Sequence, residues 1–270
     1  MSAFWQETLD DDGILIARYV NPPLNYYTDA AVSELGELVA TSWRREEVRV
    51  VVLAGGIDGI FITHFSPEEI LAGVKQPELI VRRGAARNRV INVILDGFAE
   101  LPAPVIAALN GDATGFGFEL ALACDLRIGQ TGDVLYGFPE VRMGILPAGG
   151  GTQRLARLVG LPAALDIVLR SRVMPPELAL QYGLVGELAD DAMSRAIQIA
   201  REIAELPPLA VAVAKRALHR GADAPLAVGL TIESDASVRA KLGPDVAAAL
   251  QEYVNLSPEL RRRWLVEGLR

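Results

Sequence analysis

The stretch PVIAALNGDATGFGFELALACDLRI, Pro104–Ile128, holds strand, turn, helix and strand in close succession. A short apolar run, Val105–Leu109, ends in a turn at Asn110 and Gly111. A helical segment, FELALACD, follows a glycine-punctuated loop, and DLRIG reads as the next strand. Upstream, GILIARYV (13–20), VRVVVLAGG (48–56) and GIFITHF (59–65) are β-rich runs that read as strands near a sheet edge or corner. DAAVSELGELVATSW (29–43) between the first two has helical periodicity. Strand and helix alternate to about residue 130, which favours α/β architecture with crossover connections. Beyond Pro147 the texture changes. GTQRLARLVG, PAALDIVLRS, PPELALQYGLV, AMSRAIQIAREIAEL and LPPLAVAVAKRALHRG read as successive helices separated by Gly and Pro, and the tail from Leu242 adds two more helical stretches.

The totals exclude several function classes. The chain of 270 residues carries a formal net charge of -8, which argues against a nucleic-acid partner because backbone binding needs a basic face. No apolar stretch reaches the roughly 18 residues that span a bilayer, and the acidic start MSAFWQETLDDDG lacks a hydrophobic signal core, so a cytoplasmic protein with no membrane partner is expected. Cys124 is the single cysteine and the two histidines, His64 and His219, lie far apart, so neither a disulfide nor a metal site is expected.

Glu119 stands out because an ionisable group sits between a glycine turn and the apolar run LALAC. One reading is a helix-start carboxylate favoured by the macrodipole and facing water. The other is a carboxyl in an apolar pocket, with its pKa raised toward neutrality and suited to proton transfer. Glu140, in YGFPEVRMGILPAGGGTQRL, is either an exposed loop glutamate or the second member of a proton-transfer pair. The run Gly149–Gly151 lacks the Gly-Lys-Ser/Thr ending of a nucleotide loop and reads as a structural turn.

Three segments together carry a family resemblance: PVIAALNGDATGFGFELALACDLRI, FPEVRMGILPAGGGTQRLARLVG and SRVMPPELALQYGLVGEL. With NPPLN (21–25) and LPPLAVAVAKRAL (206–218), they resemble in order and spacing the enoyl-CoA hydratase/isomerase (crotonase) superfamily, over about residues 14–220. The resemblance implies an α/β spiral core of repeated ββα units over residues 1–200. A helical region over 201–270 would serve oligomerisation and cover the active site, in a homotrimer or a dimer of trimers. It implies an acyl-CoA thioester substrate, with coenzyme A part of the substrate and no separate cofactor.

The same resemblance places backbone N–H donors for the thioester oxyanion at Phe65 and Phe116. It places Glu119 and Glu140 on the two catalytic carboxylates of the hydratase branch, and His64, Gly115, Gly117, Pro139 and Gly144 around the substrate. This chain departs from the commonest pattern at His64, Phe65, Ser66 and Phe116, where smaller or acidic residues are usual. Gly59 and Glu68 stand where some relatives place lysines, which leaves Arg82, Arg83 and Arg87, on a stretch read as helical, as candidates for the CoA phosphates. The expected activity is hydration of a trans-2-enoyl-CoA. Another crotonase-type reaction, such as isomerisation, hydrolysis or decarboxylation, and a silent acyl-CoA-binding protein are the alternatives.

Overall fold

The computed structural model describes residues 4–267, which divide along the chain into two compact units between Glu205 and Leu206. The first unit opens with an antiparallel pair, β1 (Trp5–Leu9) and β2 (Ile14–Tyr19), followed by α1 (Asp29–Ser42). Then come β3 (Val50–Gly55), β4 (Gly59–Ile62), α2 (Pro67–Val74), α3 (Pro77–Arg83) and α4 (Ala86–Glu100). The central segment supplies β5 (Val105–Leu109), β6 (Gly111–Thr114), α5 (Phe116–Ala123), β7 (Leu126–Gln130), β8 (Tyr136–Gly137) and a 3-10 turn at Glu140–Met143. The unit closes with α6 (Gly151–Val159), α7 (Leu161–Leu169), β9 (Val173–Met174), α8 (Pro176–Gln181), β10 (Glu187–Ala189) and α9 (Ala192–Ala204). The second unit is helical: α10 (Pro208–Ala222), α11 (Leu226–Lys241), α12 (Val246–Asn255) and α13 (Pro258–Glu267), with α10 and α11 packed on one another.

Successive strands go to different sheets. β3, β5 and β7 enter a six-stranded sheet ordered β1-β2-β3-β5-β7-β10, while β4, β6 and β8 enter a four-stranded sheet ordered β4-β6-β8-β9. Strand, strand, helix is thus the repeating unit, and each repeat advances both sheets by one parallel strand. β3 is an interior strand rather than an edge, since β2 and β5 flank it; β4 is an edge. β3 is buried on both faces, which explains its unbroken apolar run. Val50, Val52 and Ala54 face Ala192, Ala196 and Ala200 of α9, whose small side chains let the helix sit close to the sheet. Val51 and Leu53 point the other way, into the main core with Phe61, Phe98 and Phe118.

Two polar contacts fix β4, one to the larger sheet and one to α5. Asn25, fully buried and left-handed at φ 53°, donates from Nδ2 to the carbonyls of Tyr19 at 3.1 Å and Phe61 at 2.7 Å, and accepts from the Asn21 amide at 2.7 Å. The NPPLN segment therefore links the end of β2 to β4. α5 docks on the end of β4, where the Gly117 amide donates to Thr63 at 3.2 Å and a Cβ on Gly117 would fall inside the Ile62 carbonyl.

The arginine-rich stretch is not one helix. Gly84, at φ 52°, breaks it, so Arg82 lies in the last turn of α3 while Arg87 lies in the first turn of α4. The side chain of Arg83 lies outside the described residues. Among the described residues, no helix is long and apolar enough to cross a membrane.

The close approach at Gly117 gives a test. Gly117→Ala is expected to lose about 1–3 kcal/mol or to fail to fold, because the collision is with backbone. Gly73→Ala, on a helix with open space around it, is expected to be neutral or slightly stabilising. Thermal denaturation compares them; equal stability would remove the packing constraint placed on α5.

Candidate active site

Every residue of α5 is buried, Glu119 included at 3% exposure. The helix-start reading of this carboxylate as a solvent-facing group is thereby excluded. Its Oε1 accepts two backbone N–H groups, from Gly149 and Gly151, each at 2.8 Å. Both glycines sit close to the carboxyl: a Cβ on Gly149 would lie 3.0 Å from Oε2, a tight contact, and one on Gly151 2.8 Å from Oε1, which would force a shift. The glycine run is thus the cradle of a carboxylate rather than of a phosphate. Arg154 of α6 braces this turn by donating to the Gly149 carbonyl at 2.9 Å and to Asp96 of α4 at 2.5 Å. Burial pushes the Glu119 carboxyl up to about 7, against the two amides and the Arg154 charge, which favour its ionised form.

Glu140 opens the 3-10 turn after Pro139 and is 5% exposed. Its Oε2 has no hydrogen-bond partner among the described residues. Burial raises this carboxyl to about 8, and the negative charge of Glu119 adds to the rise. Two carboxyls therefore face one space in different environments. Glu119, held by the Gly149 and Gly151 amides, ionises first, and Glu140, buried with Oε2 unpartnered and facing the Glu119 charge, retains its proton to higher pH.

That space is a cavity of about 200 Å³. Glu119, Glu140, Phe65, Phe116, His64 and Arg87 all line it, with an apolar wall of Ile70, Ile91, Met143, Ile145 and Leu146. The amides of Phe65 and Phe116 donate to nothing among the described residues. For Phe65 the cause is a parallel bridge to Tyr27. The Tyr27 amide donates to His64 and the Ser66 amide to Tyr27, so the Phe65 amide points to the other side. For Phe116 the cause is its place in the first turn of α5, where amides lack helical acceptors. The two side chains pack edge-on at 6.0 Å between centroids, and Tyr27 packs against both.

The remaining sequence candidates separate. Gly115, at φ 53°, touches the site, since a Cβ there would meet His64 Cβ at 2.6 Å and Glu140 Oε1 at 2.9 Å. His64 stacks on Tyr26 at 4.9 Å, and its Nδ1 lies 2.9 Å from the Phe65 carbonyl; because a carbonyl only accepts, this nitrogen carries the proton. Gly117 packs on β4 and does not line the cavity, nor do Pro139, Gly144 and Arg82. Asn88 and Arg154 were not singled out from sequence, and Gly149 and Gly151 were read as a structural turn without their contact to Glu119. Among the described residues no three His, Cys, Asp or Glu side chains are grouped to hold a metal ion.

Comparison with known proteins agrees with this architecture. The family model for enoyl-CoA hydratase/isomerase matches residues 10–257. A short-chain-enoyl-CoA hydratase of Clostridium acetobutylicum is 32% identical over 232 residues, 84% of this chain and 86% of its own. A mitochondrial methylglutaconyl-CoA hydratase of Mus musculus is 35% identical over 194 residues, 70% of this chain and 60% of its own length. The crystal structure of an enoyl-CoA hydratase from Geobacillus kaustophilus superposes with a TM-score of 0.88 at 27% identity, covering 94% of each chain. With a family match across most of its length and the same fold in a solved relative, the chain belongs to the enoyl-CoA hydratase/isomerase family.

Proposed function

We propose that this protein hydrates a trans-2-enoyl-CoA thioester, with Glu119 and Glu140 as the proton-transfer pair and the Phe65 and Phe116 amides as the oxyanion site. The observation that carries the reading is the meeting of two buried carboxyls and two acceptor-free amides on one cavity. The thioester carbonyl oxygen would take both N–H groups. Glu119, the first to ionise, removes a proton from water as the water oxygen bonds to the β-carbon. The electron pair of the double bond shifts into the thioester, giving an enolate whose charge the two amides stabilise. Glu140 then delivers its proton to the α-carbon. The chain is left with Glu119 protonated and Glu140 ionised, and exchange with solvent restores the starting pair. Backbone donors suit this task because they are oriented before the reaction and carry no net charge of their own.

Substitution of either carboxyl by Gln keeps the shape and removes one proton partner, so each is expected to lower hydration by about 100- to 10,000-fold. KM should change little. The double variant should be scarcely worse than the poorer single one, since both groups act on one transition state. An isomerase working through one carboxylate would lose its rate in only one of the single variants. A silent binder would have no rate to lose. Near-normal hydration by either single variant would refute the pair.

The pH dependence follows from the same pair. Glu119 must be ionised and Glu140 protonated, so kcat/KM should fall below about pH 7 and again above about pH 8, a narrow bell. A plateau from pH 5 to 9 would contradict it.

The oxyanion role is separable from the side chain. Phe65→Ala keeps the N–H and is expected to keep much of the activity, while Phe65→Pro deletes it and should lose at least about 100-fold. Circular dichroism checks that both variants fold; equal activity in two folded variants would remove Phe65 from the oxyanion site.

A further inference from the structure

Arg87 does more than its neighbours require. It carries the one guanidinium described on the cavity wall, and its Nε and Nη2 both reach Asp29 Oδ1, at 2.6 and 2.5 Å. Its Nη1 has no partner among the described residues, and neither has the side-chain amide of the adjacent wall residue Asn88. The end of the guanidinium fork and an amide are thus unspent donors beside an otherwise apolar stretch of wall. An alkyl chain lying there would desolvate both without offering an acceptor, which is costly.

The position of Arg87 argues against a CoA phosphate as its ligand. Its Cζ stands 4.4 Å from the centroid of the Phe65 ring, the residue whose amide is assigned to the thioester oxygen. In an acyl-CoA roughly a dozen bonds, about 15 Å when extended, separate the thioester from the first phosphate. A group one side chain away from the carbonyl is within reach of the acyl chain. A cavity of about 200 Å³ suits a short acyl chain rather than a long one.

We propose that Arg87 and Asn88 form a subsite for an acyl-chain carboxylate, so that the substrate is a short enoyl thioester ending in a carboxylate. This rests on the hydratase reading for the placement of the carbonyl. Asp29 holds the guanidinium by its side edge and leaves the end edge for the ligand, where two parallel charge-assisted hydrogen bonds form. Glu119 and Glu140 permit an anionic substrate because one of them keeps its proton.

The test compares glutaconyl-CoA, which ends in a carboxylate, with trans-2-pentenoyl-CoA, its uncharged counterpart of equal length. Wild type is expected to show kcat/KM at least about tenfold higher for glutaconyl-CoA, and Arg87→Met should reduce that ratio at least about tenfold, the effect of losing a charge-assisted pair. Asn88→Ala should reduce it less. A wild-type preference for pentenoyl-CoA overturns the proposal. So does an equal loss on both substrates in Arg87→Met, which would mark Arg87 as serving the CoA portion or the Phe65 ring. Calorimetry with the unreactive glutaryl-CoA and pentanoyl-CoA reads the same subsite without turnover: tighter binding of glutaryl-CoA that Arg87→Met abolishes supports it, and equal affinities overturn it. If neither enoyl thioester is hydrated while the calorimetric preference holds, the hydratase reading fails and the carboxylate subsite stands.

Discussion

A carboxyl held inside an all-buried helix is the constraint around which the first unit is arranged. α5 has no exposed residue, so Glu119 meets water only through the cavity. Its stability there depends on two amides that come from another part of the chain, and the glycines at 149 and 151 let that turn lie close against the carboxyl. The arrangement works against folding as pH rises. Each carboxyl keeps its proton in the folded chain above the ordinary value of 4.5, while the unfolded chain has given it up. Bound protons then favour the folded state at low pH, and stability falls as pH climbs from about 4.5 through about 7 and 8. That cost is the counterpart of having proton donors and acceptors near neutrality.

The two-sheet repeat brings these groups together. β4 and β6 end side by side, and the chain leaves β6 through Gly115 directly into α5. The loop after β4 is pinned by Tyr27 on one side, which leaves its Phe65 amide free on the other. The amide at Phe116 is free for an unrelated reason, the missing acceptors of a helix start. Two donors without acceptors thus arise from ordinary strand and helix rules, and no special backbone strain is needed to expose them.

Much of this was legible in the chain because the deciding information is local. Strand, glycine turn, apolar helix and next strand follow one another within Pro104–Ile128, and the acid in that helix stood out there, although the sequence left open whether it faces water or a pocket. What was not legible depends on distance or on weak patterns. The Gly84 break falls in a polar, arginine-rich run with no apolar period to mark helix ends, so Arg82 and Arg87 read as one surface. The pairing of Arg87 with Asp29 joins residues 58 positions apart. α11 went unread because its sequence, LAVGLTIESDASVRAK, has no clear apolar stripe. Arg154 reads as one more charge on an amphipathic helix until its contact with the Glu119 cradle is seen.

The acid and base roles of Glu119 and Glu140 require that the two titrate near neutrality as a coupled pair. The most direct measurement is a 13C NMR titration of protein labelled at the glutamate side-chain carboxyl carbons, with the two resonances assigned by their loss in Glu119→Gln and Glu140→Gln. Both are expected to hold the shift of a protonated carboxyl past pH 6 and to change between about pH 7 and 8, with Glu119 ahead of Glu140. Two resonances that ionise below pH 5 with the surface glutamates would contradict the assignment of this pair as acid and base.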